Sequence, residues 1–157
     1  MPARNRRPPV LLAAACAALP ALASLLLFDR PASTLCDAVS LAGIGGELAA
    51  ADGASSERPA LDSLAEWAGF RLPSGAALEP GTSGAACSLF PYRIAAFSFP
   101  SDSSVMVLVS CPVPLALRDP GPGGPSVLTG GGRTAVIVIP GARESHAAAA
   151  AGSVEPL

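Results

Sequence analysis

Two apolar runs separated by a short polar turn constrain the fold of this 157-residue chain more than any other feature. Residues 94–99 and 105–110 are rich in β-branched, aromatic and small apolar side chains, and the segment between them reads Pro-Ser-Asp-Ser-Ser. Two runs of this kind joined by a five-residue connection are typical of a β-hairpin. The pattern therefore predicts an antiparallel hairpin at the centre of the fold.

A cysteine lies outside each of these runs, with Cys87 before the first and Cys111 after the second. Pairing of the strands would bring the two thiols towards one another, and a disulfide would close a loop of about 25 residues, worth about 3 kcal/mol in the chain-entropy model. Cys36 would then be a free buried thiol or would bond to another molecule. A Cys36–Cys87 bond that leaves Cys111 unpaired is the alternative.

The predicted hairpin strands lack the polar alternation of a sheet that faces water on one side. The second strand places Val105, Val107 and Val109 on one face and Met106 and Leu108 on the other. Both faces are therefore expected to be covered. Either a partner protein supplies the missing layer, or the helix predicted over 59–69 and the loops of this chain cover the strands.

One further strand and one helix are predicted outside the hairpin. Residues 134–139, Thr-Ala-Val-Ile-Val-Ile, form a third apolar run, which Pro140 closes. The helix is predicted to begin at Pro59 and to end at Gly69. Its apolar stripe consists of Leu61, Leu64, Ala65 and Ala68. Trp67, the single tryptophan, is either a partly buried packing residue or a contact for a partner.

Residues 33–51 have a helix-like composition, but Gly43, Gly45 and Gly46 interrupt it. Each glycine inside a helix costs about 1 kcal/mol relative to alanine. The sequence therefore predicts a loop or a helix break here. A dinucleotide-binding loop would need a preceding strand and further glycine spacing that this segment lacks, so no cofactor is predicted.

The charge of the chain argues against binding to nucleic acid. The ten basic residues are all arginines, against 12 acidic residues. Removal of a basic leader would leave seven arginines and a net charge of about −5, whereas nucleic acid requires clustered positive charge. The richness in Ala, Gly, Pro and Arg is typical of a GC-rich genome.

The sequence offers little for catalysis. Its single histidine, His146, lies in an alanine-rich tail that is a poor support for preorganised geometry. The scattered cysteines do not have the spacing of a zinc site, so no metal is predicted. We expect a protein that is not an enzyme; a hydrolase that depends on His146 is a minor alternative.

The first residues have the three parts of a secretory signal peptide. Residues 4–7 are basic, residues 10–19 are apolar, and Ala21-Leu22-Ala23 supplies small residues for cleavage. A signal anchor over 10–28 or a lipoprotein at Cys16 are the weaker alternatives. We expect cleavage after residue 23 and a mature chain without a membrane anchor of its own.

Together these features predict an α+β fold. It would be a small, loop-rich domain with a disulfide-stapled antiparallel hairpin, one further strand and one or two short helices. The predicted division is a signal peptide over 1–23, a domain over 24–141 and a flexible or helical tail over 142–157.

An ordered series of short motifs then points to a family. The series comprises Glu66-Trp67, Leu78-Glu79-Pro80, Cys87, Pro91-Tyr92, Phe99-Pro100 with Asp102, Cys111-Pro112 and a strand closed by proline over 136–140. In order and spacing it resembles the glycoprotein L family of alphaherpesviruses, and within that family the short members found in varicelloviruses.

The resemblance implies a small envelope protein that forms a heterodimer with glycoprotein H. It would act as a folding and transport chaperone for that partner, take part in membrane fusion together with glycoprotein B, and be held at the virion envelope and the host cell membrane through the partner alone. The tentative partner contacts are Trp67, Pro91, Tyr92, Phe97, Phe99, Val107 and Val109. An exported small binding protein of a GC-rich bacterium is the alternative.

Overall fold

The computed structural model describes residues 37–51, 53–75, 78–117, 120–130, 132–142 and 145–157. Its helices are α1 (Ala38–Ala49), α2 (Arg58–Trp67) and α3 (His146–Ala151). Its strands are β1 (Phe70–Arg71), β2 (Ser83–Leu89), β3 (Tyr92–Phe99), β4 (Ser104–Ser110), β5 (Ser126–Gly130), β6 (Thr134–Ile139) and β7 (Glu155–Pro156). The mixture of helices and antiparallel strands confirms the α+β class. The predicted leader and Cys36 lie outside the described residues.

Five strands form one antiparallel sheet in the order β2-β3-β4-β6-β5, and β1 pairs with β7 in a separate two-stranded ribbon. The predicted hairpin is confirmed as β3 and β4, with Ile94 opposite Val109 and Phe97 opposite Met106. The third predicted strand is also confirmed, as β6, which pairs with β4. These strands occupy the middle of the sheet, where β-branched and aromatic side chains pack on both faces.

Two strands of the sheet were not predicted. The segment that becomes β2 reads Ser-Gly-Ala-Ala-Cys-Ser-Leu, and β5 reads Ser-Val-Leu-Thr-Gly. Both lie at the edges of the sheet, where only one neighbouring strand is present. Small and polar residues have weak strand preference on their own, so the pairing with β3 and β6 decides their conformation.

One face of the sheet, here called the α2 face, is covered by α2 and α3. Phe97, Phe99, Met106 and Leu108 project from the strands and are fully buried against the helices. Helix α2 has Pro59 in its first turn and ends at Trp67; Gly69 follows two residues later, with a φ of 87° in the left-handed region that glycine tolerates. The predicted helix over 59–69 is confirmed within two residues at each end.

The opposite face, here called the α1 face, is covered by α1 and by the irregular segment that follows β4. Leu41 and Ala42 from the helix and Leu115 from the segment pack on Ile94, Val107 and other strand residues. A fully buried side chain of this size contributes about 1.5–3 kcal/mol relative to exposure. The chain itself therefore covers both faces of the central strands.

Helix α1 corrects the prediction of a loop or break over residues 33–51. The helix runs without interruption through Gly43, Gly45 and Gly46. A Cβ atom at Gly45 would lie 2.3 Å from Cγ2 of Val107, so only glycine allows the helix to approach the sheet this closely. Tertiary packing on the sheet offsets the helix-propensity cost of the glycines.

The hairpin is not stapled by a Cys87–Cys111 disulfide, because both thiols are free. Cys87 lies on β2, opposite Ile94 of β3, and that residue in turn pairs with Val109 of β4. Two interstrand spacings of about 4.8 Å separate β2 from β4. Cys111 also lies two residues beyond Val109, so the Cα atoms exceed the limit of about 7 Å for a disulfide. Burial raises the pKa of the Cys87 thiol.

Candidate partner-binding surface

Most of the side chains predicted to contact a partner lie in the core. The five that are buried are Tyr92, Phe97, Phe99, Val107 and Val109. The other two are accessible: Trp67 is 39% exposed, and Pro91 is partly exposed. The two-sided apolar character of β3 and β4 left open whether a partner or this chain covers both faces, and the helices and loops of this chain cover them.

The turn between β2 and β3 carries the most exposed aromatic side chain of the described residues. Phe90 is 89% exposed and the neighbouring Leu89 is 45% exposed. Neither residue was among the partner contacts predicted from the sequence. The available signal was an apolar Leu-Phe-Pro sequence at a hairpin turn, a position where Gly, Asn, Asp or Ser is usual.

A groove of about 660 Å³ lies between helix α2 and the edge strand β2. Its helical wall is a stripe at i, i+3, i+4 and i+7 spacing that lies on one side of α2. Its lining residues are Ala60, Ser63, Leu64 and Trp67 from the helix and Gly53, Ser55, Gly84, Ala85 and Ala86 from the other wall. The small side chains on β2 keep the groove open.

The outer edge of β2 is only partly paired. Ser55 and Gly84 exchange two backbone hydrogen bonds, from the Ser55 amide at 2.9 Å and from the Gly84 amide at 2.7 Å. In an antiparallel strand, alternate residues direct their backbone groups to the same side. The backbone groups of Ala86 and Ser88 therefore also point outwards, and no hydrogen bond joins them to another of the described residues. This edge can accept a further strand.

Arg93 lies at the end of α2, beside Trp67, which is one of the residues that line the groove. Its guanidinium carbon lies 5.9 Å from the centroid of the Trp67 ring, and its Nη1 is 3.5 Å from the Trp67 carbonyl oxygen. Among the described residues, no carboxylate forms an ion pair with Arg93. We call Leu89, Phe90 and Pro91, with Trp67 and Arg93, the apolar end of the sheet.

The opposite turn, between β3 and β4, is polar and forms hydrogen bonds with helix α3. Asp102 accepts hydrogen bonds from the Ser104 amide at 2.9 Å and the His146 amide at 2.8 Å. The Ser104 hydroxyl accepts one from the Ala147 amide at 3.1 Å, and Ser145 caps the next amide of the helix. These contacts satisfy the first amides of α3, which have no partner within the helix.

Glu79 and Ser101 extend this polar cluster. The Ser101 amide donates to Glu79 at 3.0 Å, and the Ser101 hydroxyl also donates to that carboxylate. His146 lies beside both acids, with Nδ1 3.3 Å from Asp102 Oδ2 and Nε2 3.9 Å from Glu79 Oε2. We call Glu79, Ser101, Asp102, Ser104 and His146 the polar end of the sheet.

The carboxylates of the polar end are stabilised in their ionised form. Burial alone would raise the pKa of Asp102, but hydrogen bonds from Ser104 and His146 hold the pKa of that carboxyl well below its usual range. Hydrogen bonds from Ser101 lower the pKa of Glu79. Each acid therefore remains charged while it holds its neighbours in place.

The arrangement of Ser101, His146 and Asp102 differs from that of a hydrolytic triad. A triad places the serine on one ring nitrogen of the histidine and the acid on the other. Here Ser101 Oγ and Asp102 Oδ2 both lie 3.3 Å from Nδ1 of His146, and the serine hydroxyl donates to Glu79. The cluster is therefore suited to docking α3 on the sheet rather than to activating a nucleophile.

The part of the chain that the structure describes contains no group of three or more potential metal ligands. Nor does any helix in those ranges have the length and apolar character needed to cross a membrane. Comparison with known protein families, with curated protein sequences and with solved structures finds no match to this chain.

Proposed function

We propose that this protein is a non-catalytic binding protein that takes an extended segment of a partner chain into the groove between α2 and β2. One observation carries the proposal: the unpaired edge of β2 at Ala86 and Ser88 lies beside an accessible apolar wall that includes Trp67. Strand addition to a free sheet edge gains affinity from main-chain hydrogen bonds and specificity from neighbouring side-chain pockets.

The partner that we propose is the glycoprotein H encoded by the same virus, as the family resemblance implies. The protein would assist the folding and transport of glycoprotein H and take part with it in the fusion reaction that glycoprotein B performs. It would be exported through the secretory pathway and held at the virion envelope and the host cell membrane through that partner.

We expect the partner to bind at the edge of the sheet, and not as a layer that covers one face of the hairpin. Both faces of β3 and β4 are already covered, so the partner adds to the edge of the sheet rather than to its face. Binding to the folded form stabilises it by mass action, since a ligand at 100 times its dissociation constant adds about 2.7 kcal/mol. The same relation holds for the partner, which is the physical basis of a mutual chaperone effect.

The proposal is tested by co-expression of the tagged chain with glycoprotein H and measurement of glycoprotein H at the cell surface. We expect Ala86→Pro to reduce surface glycoprotein H strongly, because proline removes the outward amide without disturbing the pairing of β2 with β3. The control is Val39→Ser, at a residue that is 56% exposed on α1, across the sheet from the groove. Normal transport with Ala86→Pro would contradict the groove as the binding site.

A second candidate function is supported by the completeness of the fold. The core residues of both faces are buried by this chain alone, with many of them at 0% exposure. That completeness favours a stand-alone exported binding protein of a GC-rich bacterium. Expression without a partner separates the two: a secreted monomer that unfolds cooperatively favours the bacterial protein, whereas retention and aggregation favour the viral one.

A further inference from the structure

We propose that the groove selects an extended segment that carries an acidic side chain, and that Arg93 is the residue that binds this acid. The inference rests on the proposed function, because it names the chemistry of the segment that the groove accepts. It predicts a partner strand that lies antiparallel to β2 and places one carboxylate at the apolar end of the sheet.

We propose the antiparallel direction by analogy with the contact that already exists at this edge. Ser55 pairs with Gly84 in antiparallel fashion, which shows that the edge of β2 has the geometry for such a ladder. The chain diverges from the edge before Ser55, where Gly53 has a φ of 96°. A partner strand would continue the ladder past this point, with hydrogen bonds to Ala86 and Ser88.

The faces of β2 determine which partner side chains enter the groove. Gly84, Ala86 and Ser88 lie opposite Phe97, Ala95 and Arg93 of β3. Directly paired residues project to the same face of a sheet, so these three positions of β2 share the α2 face. The partner residues opposite Ala86 and Ser88 therefore also project towards α2.

The first of these partner residues meets an apolar surface. Opposite Ala86, the neighbouring groove walls consist of the Leu64 and Trp67 side chains and the small residues of β2. A Cβ atom at Gly84 would lie 2.8 Å from Cδ2 of Leu61, so the groove floor has no room for a larger residue at that position of β2. An apolar side chain fits this part of the groove.

The second partner residue meets a cation. Ser88 is the cross-strand neighbour of Arg93, and the Arg93 guanidinium extends over the ring of Trp67, a residue that lines the groove. A guanidinium has five N–H donors. Only one contact of Arg93 with a hydrogen-bond acceptor is present among the described residues, at 3.5 Å to the Trp67 carbonyl. A carboxylate on the partner would accept two parallel hydrogen bonds from the remaining donors, in the paired geometry that arginine favours.

A panel of synthetic strand peptides, about ten residues long, tests this selection directly. Each peptide alternates Thr and Val, carries a solubilising polyethylene glycol tail and a fluorophore, and has Asp, Asn or Lys at one varied position. Fluorescence anisotropy with the full chain, refolded in vitro in the absence of a partner, measures the affinity. We expect Asp at one position to bind about tenfold more tightly than Asn, since a charged acceptor forms a stronger hydrogen bond with a guanidinium than a neutral one does.

Variants of Arg93 identify the residue responsible. We expect Arg93→Ala to bind Asp and Asn peptides equally, and Arg93→Glu to reverse the order so that Lys binds best. Arg71→Ala is the matched control, because Arg71 is an exposed arginine on β1 that does not line the groove. This control should keep the preference for Asp. Circular dichroism and thermal unfolding establish that each variant is folded.

The outcomes distinguish the role of Arg93 from the groove as the binding site. Peptide binding that Ala86→Pro abolishes, without any preference for Asp over Asn, would overturn the role of Arg93 and leave the groove as the binding site. A preference for Asp that persists in Arg93→Glu would also overturn it. If no peptide of the panel binds, both the acidic selection and the strand-addition site are wrong.

Discussion

Strand β3 has a turn at each end, and the two turns use their residues in opposite ways. At the polar end, Asp102 and Ser104 direct their hydrogen-bonding groups to amides within the chain and fasten α3 to the sheet. At the apolar end, Phe90 is almost fully exposed, and Arg93 has donors that the described residues do not use. A turn whose interactions are satisfied internally serves folding, whereas a turn that leaves apolar surface and donors unsatisfied is suited to binding.

The largest expected effect comes from the polar end. Asp102→Ala removes an acceptor that is 9% exposed and leaves the His146 and Ser104 amides without it. We expect a loss of about 2–4 kcal/mol in the free energy of unfolding, because buried donors without partners carry the full cost of their desolvation. Urea denaturation measures this value. A loss below about 0.5 kcal/mol would contradict the view that the polar end serves folding and the apolar end does not.

Acidification is expected to weaken the same end. The pKa of Asp102 is lower in the folded chain than its ordinary value of 3.8, so its ionised form stabilises the fold above that value. This stabilisation is lost as pH falls through about 4 towards the lower folded-state pKa, with an expected loss of about 1–3 kcal/mol. The free energy of unfolding measured against pH checks the prediction. Asp102→Asn, as the control, should show a shallower decline over that range.

At the apolar end, substitution should affect binding more than folding. We expect Phe90→Ser to change the free energy of unfolding by less than about 0.5 kcal/mol, since an exposed side chain makes few contacts. Partner binding should fall by about tenfold or more if Phe90 contributes as an aromatic interface residue does. Co-purification with glycoprotein H, the partner proposed above, measures the second effect, with Val39→Ser as the control. A stability loss as large as that of Asp102→Ala would contradict the comparison.

The smallest effect is expected for the cysteine near the apolar end. A Cys87–Cys111 staple would make Cys87→Ala cost about 3 kcal/mol. Because both thiols are free and lie on strands separated by β3, we expect a loss below about 1 kcal/mol instead. Thermal unfolding of Cys87→Ala beside the wild-type chain distinguishes the two values. A loss near 3 kcal/mol would support the Cys87–Cys111 disulfide and contradict the strand pairing described above.

The residues of the candidate site were only partly predictable from the sequence. Trp67 was singled out because it is the one tryptophan, and the structure places it on the wall of the groove. Phe97 and Val107 were selected because their strands are apolar on both faces. That pattern cannot distinguish a partner from a helix of the same chain, and here the chain supplies the helices.

The sequence alone determined the elements whose preference is local. The hairpin of β3 and β4, strand β6 and helix α2 all follow from side-chain periodicity and from turn or capping residues such as Pro59 and Gly69. These signals act within a few residues along the chain, so they survive without knowledge of the fold. The α+β class follows from them.

Only the tertiary structure decided the elements whose stability comes from distant contacts. Helix α1 forms in spite of its glycines because Gly45 lets it pack against Val107, and β2 is a strand because it pairs with β3. The same strand order separates Cys87 from Cys111 and places β2 at an edge of the sheet, where Ala86 and Ser88 have no strand opposite them among the described residues. Packing and register join residues far apart in the chain, so the proposed binding surface was decided by the fold rather than by any local sequence pattern.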